Sequence, residues 1–426
     1  MIILPTRQTL RKEGTQSHGP TAKEGDATAA GLPKWEGQGR FIGLAVLLIG
    51  IVSIVTACFQ FPKPPPKRAF SELISFAVGD GPNSIATGDF NEDGHLDLAA
   101  ANYQSNDISI LLGNGRGSFS SAINFPADNT PISIGVGHFN TLKDSHPDLV
   151  VVNSLNNRVS VLFGDGQGSF SRPTSFPVPG PSPPPVNLYA VAVGDLNRDG
   201  FQDLVTANGV WPDGWFEDTI SILLGDGGGG FATLNPIPVG YGALFVTIGK
   251  FNSDDYPDLA VVNSGQIAVL FSKGRGDFIL FNHFYVTEDQ HLGGPWTLAV
   301  GDFNKDGHDD LVTTLPDADA VAILLGDGMG NFGQAGIVAV GDAPHQVAIA
   351  DFNRDSHQDL VVTNYLDNTV SVLWGDGSGG FNIADFPAGD TPQGVTIGDF
   401  DEDGDLDIAV TNRTSGTVSV LLNQLL

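Results

Sequence analysis

Short runs of alternating apolar and polar residues recur along most of the chain, and Gly, Asn, Asp or Pro cuts off each one. Ile108-Ser-Ile-Leu-Leu112 and Val370-Ser-Val-Leu-Trp374 are typical. A period of two in runs this short predicts half-buried β-strands rather than helices. The runs follow a fixed order. A strand of small residues (Ile85 to Gly88, Val191 to Gly194, Val347 to Ala350) leads into an acidic loop. A second, apolar strand mostly ends in Asn (Leu98 to Asn102, Leu149 to Asn153, Leu360 to Asn364), and a third, alternating strand follows. A Gly-rich turn closed by Phe (Phe170, Phe381) then opens a fourth strand.

The acidic loop makes the period visible. It starts at Asp89, His138, Asp195, Lys250, Asp302, Asp351 and Asp399, so seven copies lie 48 to 57 residues apart. Four antiparallel strands repeated at this period predict an all-β, seven-bladed β-propeller. The last copy stops after its third strand, while Phe70 to Asp80 matches the outer-strand piece Phe381 to Asp390. The expectation is a ring closed by the N-terminal strand, with no free sheet edge at the junction.

Asp-x-Asn-x-Asp-Gly-x-x-Asp is a pattern that hard-cation chemistry can use. Calcium takes six to eight oxygens, and side chains at positions one, three, five and nine plus the carbonyl of position seven can surround it. Position six needs the conformational freedom of glycine for the sharp turn. Four copies carry the full set: Asp89, Asn91, Asp93 and Asp97 with His95; Asp195, Asn197, Asp199 and Asp203 with Phe201; Asp302, Asn304, Asp306 and Asp310 with His308; and Asp399, Asp401, Asp403 and Asp407 with Asp405. The sixth copy, Asp351, Asn353, Asp355 and Asp359 with His357, has Ser356 in place of glycine and is also expected to bind. About five Ca2+ sites are therefore expected. The fourth copy has Lys250 at position one, whose ammonium can stand in for an ion. The second has His138 and two extra residues, and is expected to be empty. Histidines at position seven are expected to face water.

These repeats resemble the FG-GAP and VCBS-type family, and through it the propeller of integrin α-subunits. The resemblance covers residues 70–426. It implies a calcium-loaded propeller that serves binding, adhesion or scaffolding, and it does not name a ligand.

Charge supports the cation reading. The chain has 20 Lys+Arg against 49 Asp+Glu, a formal net charge of −29. The first 69 residues hold nine basic and four acidic side chains, and the remainder eleven and forty-five. So acidic a domain repels nucleic-acid phosphates and attracts cations. No Ser/His/Asp set, HExxH, P-loop or dinucleotide fingerprint occurs, so no enzyme is expected.

Residues 1–40 read as a flexible region, 41–58 as an apolar segment, 59–69 as a Pro-rich spacer and 70–426 as the propeller. Phe41 to Ala57 is uncharged, and Val55-Thr-Ala-Cys58 resembles the lipobox of bacterial lipoproteins, whose cysteine is lipidated. A single anchoring helix and a cleaved signal are the alternatives. Each predicts export, and the first two hold the domain at the outer side of a membrane. With Cys58 the only cysteine, no intrachain disulfide can form.

In a four-stranded meander the acidic loops and Gly-rich turns share one face, and the remaining loops share the other. The longest insertions fall on that second face and carry Trp211, Trp215, Phe216 and Trp296. Long aromatic loops on a rigid scaffold are the expected place for ligand recognition. The expected partner is an extracellular protein or a glycan, met by a monomeric propeller. A lectin and, further off, a polysaccharide-active enzyme are the alternatives. Arg275-Gly-Asp277 lies in a Gly-rich turn and reads first as part of that turn.

Overall fold

The computed structural model describes residues 70–180, 187–209, 218–286, 294–333 and 336–424. Residues 1–69, with the apolar segment, Cys58 and the spacer, lie outside them, as do Trp211, Trp215 and Phe216. Among the described residues no helix is long and apolar enough to cross a membrane.

Among the described residues seven antiparallel sheets are present, and in six of them the strands are ordered as in the sequence, while the seventh takes its outer strand from the start of the domain. Blade one comprises Pro82–Gly88, Asp97–Asn102, Asp107–Leu111 and Ile123–Pro126. Blade three departs slightly, because two short pieces, Phe231–Thr233 and Ile237–Gly240, share the outer position. Second strands are buried along their whole length, whereas outer strands such as Ile74–Ala77 are largely exposed. This gradient explains why second strands read as continuous apolar runs.

The closure expected from the repeat phase is present. Ile74–Ala77 pairs with Thr417–Leu421 in the register Ile74↔Val420 to Ala77↔Thr417, completing blade seven. Phe70 bridges Asn423, and the Ser71 amide donates to Leu422 O at 2.7 Å.

The core lies between blades rather than inside one. Seven clusters of buried apolar side chains occupy the blade boundaries, including the boundary of blade seven with blade one, where Phe400, Val418 and Val420 meet Ile85, Leu98 and Phe119. Position two of each acidic loop, a Phe in six copies, drops into such a cluster. It meets edge-on the Phe that closes the next blade's Gly-rich turn, as in Phe90–Phe170, Phe251–Phe332 and Phe400–Phe119. Among the described residues blade seven has no such turn. At its boundary with blade six, Phe70 takes the place and meets Phe352 with centroids 5.7 Å apart.

Candidate cation loops and the opposite face

Each acidic loop leaves an inner strand and must reverse within a few residues. Five of the seven do so with left-handed backbone at positions four and six: Glu92 and Gly94, Arg198 and Gly200, Lys305 and Gly307, Arg354 and Ser356, Glu402 and Gly404. At Ser356 this is a strained conformation for a residue with a Cβ. The side chains organise the reversal. Asp89 accepts the amides of Asp93 and Gly94 at 3.1 and 2.9 Å, and Asp93 accepts that of His95 at 2.9 Å. The loops at Asp195, Asp302 and Asp351 repeat these bonds.

Position nine has a separate task. Asp97 is wholly buried and accepts the Phe90 amide at 2.8 Å on one oxygen and the Gly113 amide at 2.7 Å on the other. All seven blades do the same, through Asp148, Asp203, Asp258, Asp310, Asp359 and Asp407. The clamp ties the loop to the end of the third strand. It survives in blades two and four, where position one carries no carboxylate, so these aspartates hold the fold whether or not a cation is near. Burial pushes their carboxyls up against the opposing effect of the two amides, to about 6 for Asp97, Asp203 and Asp258 and about 7 for Asp359 and Asp407.

The loop of blade seven bears most directly on metal. Its third position is Asp401 where the other blades have Asn. In blades one, three and five that Asn donates from Nδ2 to the position-five carboxylate, as Asn91 does to Asp93 at 2.8 Å. Asp401 has no such donor. Carboxylate oxygens of Asp399, Asp401 and Asp403 lie within 4.8 Å of one another, and Asp399 Oδ1 is buried with no partner. Burial, then the charge of Asp403, raises the Asp401 carboxyl. Three mutually repelling carboxylates and an orphaned oxygen fit a divalent cation.

Several expected residues sit differently. His95 does not simply face water. Its ring pairs with Glu402 of the preceding blade's loop, and His146 pairs likewise with Glu92, which raises both imidazoles. The same step links Arg354 to Asp405 at 2.8 Å and sets Arg198 over the Tyr256 ring at 5.3 Å. Position four of one loop thus meets position seven of the next, a pairing visible in the sequence only once loops from neighbouring blades are compared. Lys250 is exposed and forms no ion pair with its own loop among the described residues. Arg275 and Asp277 are exposed at the tip of their turn.

On the opposite face, the backbone after the second strand bonds to the segment leading into the inner strand in blades one, two, four, six and seven. The amides of Tyr103, Tyr365 and Arg413 donate to Gly81 O, Ala343 O and Thr391 O at 3.0, 3.0 and 3.1 Å. Trp296 is half-buried there, with its ring centroid 5.8 Å from that of His345.

A model of the FG-GAP-like repeat matches residues 89–141, 142–206, 250–313, 302–362 and 351–410, and one of the FG-GAP repeat matches 187–231. The chain belongs to the FG-GAP-like repeat family. No curated protein matches it in sequence. Similar solved structures include BBS1N in complex with ARL6DN, at 14% identity and TM-score 0.60, covering 84% of this chain and 98% of that one. Another is the periplasmic gluconolactonase of Pseudomonas aeruginosa, at 16% and 0.55, covering 78% and 88%. A third is an Agrocybe aegerita lectin that recognises non-reducing terminal N-acetylglucosamine, at 14% and 0.51, covering 84% and 96%. At such identities the likeness shows the propeller fold alone, and this FG-GAP propeller shares it with binding proteins and enzymes alike.

Proposed function

We propose that this FG-GAP propeller is a calcium-stabilised binding or adhesion module without catalytic activity, displayed on the outer side of a membrane. The observation that carries the cation part is the blade-seven loop, with three close carboxylates and an unpartnered buried oxygen. By the same spacing, the loops that start at Asp89, Asp195, Asp302 and Asp351 would hold further ions through positions one, three and five, with position nine beneath them. Calcium would supply positive charge at the loop reversal and offset carboxylate repulsion in a strongly acidic domain. Support for display comes from the sequence alone, through Phe41 to Ala57 and Cys58. A protein or a glycan ligand fits a rigid scaffold with long loops on one face.

The test is a screen of the full chain in calcium against extracellular matrix proteins and a glycan array, run beside turnover assays on lactone and polysaccharide substrates. Saturable binding without turnover is expected. Multiple turnover of any substrate, or no saturable ligand at all, would overturn the reading.

A further inference from the structure

The seven blades repeat in backbone, but two register positions on the face opposite the acidic loops do not repeat in side chain. One is the residue five before the end of the inner strand, which in blades one and two sits at a β-bulge. The other is the residue that follows the second strand. In blades two and four these are Ile132 with Ser154 and Leu244 with Ser264. In blades five to seven and one they include Trp296, His345, Tyr365, Gln393, Arg413 and Tyr103. Blade three has Tyr189 at the first position, but the scaffold alone has no need for such a sector, because the aliphatic and small residues of blades two and four satisfy the same backbone. Bulges at a sheet end also re-aim side chains, a device common beside ligand sites.

The sector is continuous across blade boundaries. Trp296 of blade five lies against His345 of blade six, whose ring is in turn 6.4 Å from Tyr365. The Gln393 backbone carbonyl of blade seven lies close enough to the His345 ring to favour its protonated form. The Arg413 guanidinium sits over the Tyr103 ring of blade one at 5.2 Å. Trp296, His345, Tyr365, Arg413 and Tyr103 are all half-buried, so solvent reaches part of each.

Two buried polar atoms in this arc have no hydrogen-bond partner. Gln393 is 3% exposed with Oε1 unpartnered, and His345 Nδ1 is buried without a partner. Buried polar atoms are nearly always hydrogen-bonded. The complement of rings, unpartnered polar atoms and one guanidinium is a ligand with an apolar C–H face, hydroxyls and an oxygen for the cation. We infer that this arc of blades five, six, seven and one is a saccharide-binding site, in which Trp296 and Tyr365 carry the sugar ring and the unpartnered polar atoms of Gln393 and His345 bond its hydroxyls. This deepens the binding-module reading and rests on it.

The test is saturation-transfer NMR on the full chain in calcium, with methyl β-glucopyranoside, methyl N-acetyl-β-glucosaminide and methyl galacturonide as probes. At least one is expected to show ring-proton saturation, and Trp296→Ala and Tyr365→Ala are each expected to weaken its affinity at least tenfold. Tyr365 is half-buried in a loop, so Tyr365→Ala keeps the wild-type melting temperature and the test does not depend on a disrupted fold. No signal from any probe, or equal affinity in both variants, would overturn the site. In either case, capture of a purified matrix protein by wild type and variants alike would leave the broader binding reading standing.

Discussion

Replacing Phe70 by Ala isolates the latch that closes the ring. Phe70 is 6% exposed and meets Phe352 and Phe386 edge-on, with centroids 5.7 and 5.1 Å away, inside the cluster between blades six and seven. Truncating a buried Phe costs about 3–5 kcal/mol, of which two edge-on ring contacts contribute roughly 0.5–1.5 kcal/mol each. For a domain of roughly 350 residues the unfolding entropy is about 0.75 kcal/mol per kelvin, so the melting temperature should fall by about 4–7 °C. Differential scanning calorimetry in calcium reads this directly. The comparison is Ile123→Ala, which alters an outer strand of blade one at a side chain 46% exposed and should shift melting by no more than about 1 °C. If Phe70→Ala matched Ile123→Ala, the N-terminal segment would not be holding the ring. The reasoning from the Phe ladder would then fail.

Other substitutions separate the roles within the loops. Ser356→Gly relieves a left-handed serine at φ 66° while keeping the 2.8 Å amide bond to Asp351, and should stabilise by about 0.5–1 kcal/mol in urea unfolding; a loss would show that the turn does not strain the serine. Asp258→Ala strips two buried amides of their acceptor in a blade whose loop starts with Lys250, and should cost about 2–4 kcal/mol equally with and without chelator. Asp89→Ala, by contrast, should cost more in calcium than in chelator, and the two variants behaving alike would refute the division of roles. His345 is neutral, its imidazole pushed down to about 4 by burial first and then by Arg413. The residue keeps some exposed surface while Nδ1 itself is buried. Because the folded value lies below the unfolded one, its contribution to stability is intact above pH 6.5 and is lost between pH 6.5 and 4, by at most about 3 kcal/mol. A His345→Gln variant should lack that part of the acid dependence, which calorimetry across the interval would show.

The ring was legible in the sequence because its determinants repeat. Strand alternation, the loop phase and the stray strand at Phe70 to Asp80 are all local patterns, and the pairing of Ile74–Ala77 with Thr417–Leu421 follows from counting. The loops were legible as candidate cation sites for the same reason. The partners of single side chains were not. That Asp97 spends both oxygens on backbone amides, or that His95 finds Glu402, depends on which atoms the closed ring brings together from distant positions. One signal was available: aspartate persists at position nine in all seven copies, even where positions one and six have drifted, which points to a duty apart from the ion. The His345 arc was illegible for a related cause, since its members come from four blades and share no motif. Of the aromatic residues expected to mark the ligand face, only Trp296 falls in it, while Trp211, Trp215 and Phe216 lie outside the described residues.

Counting the ions bound to the purified full chain tests the central claim most directly. In native mass spectrometry from calcium-containing buffer, the account predicts mass increments for five calcium ions, one for each loop with carboxylates at positions one, five and nine. Chelator should remove them together with a fall in melting temperature of several degrees. A chain that carries no calcium at millimolar excess, and melts at the same temperature with chelator as without, would contradict it.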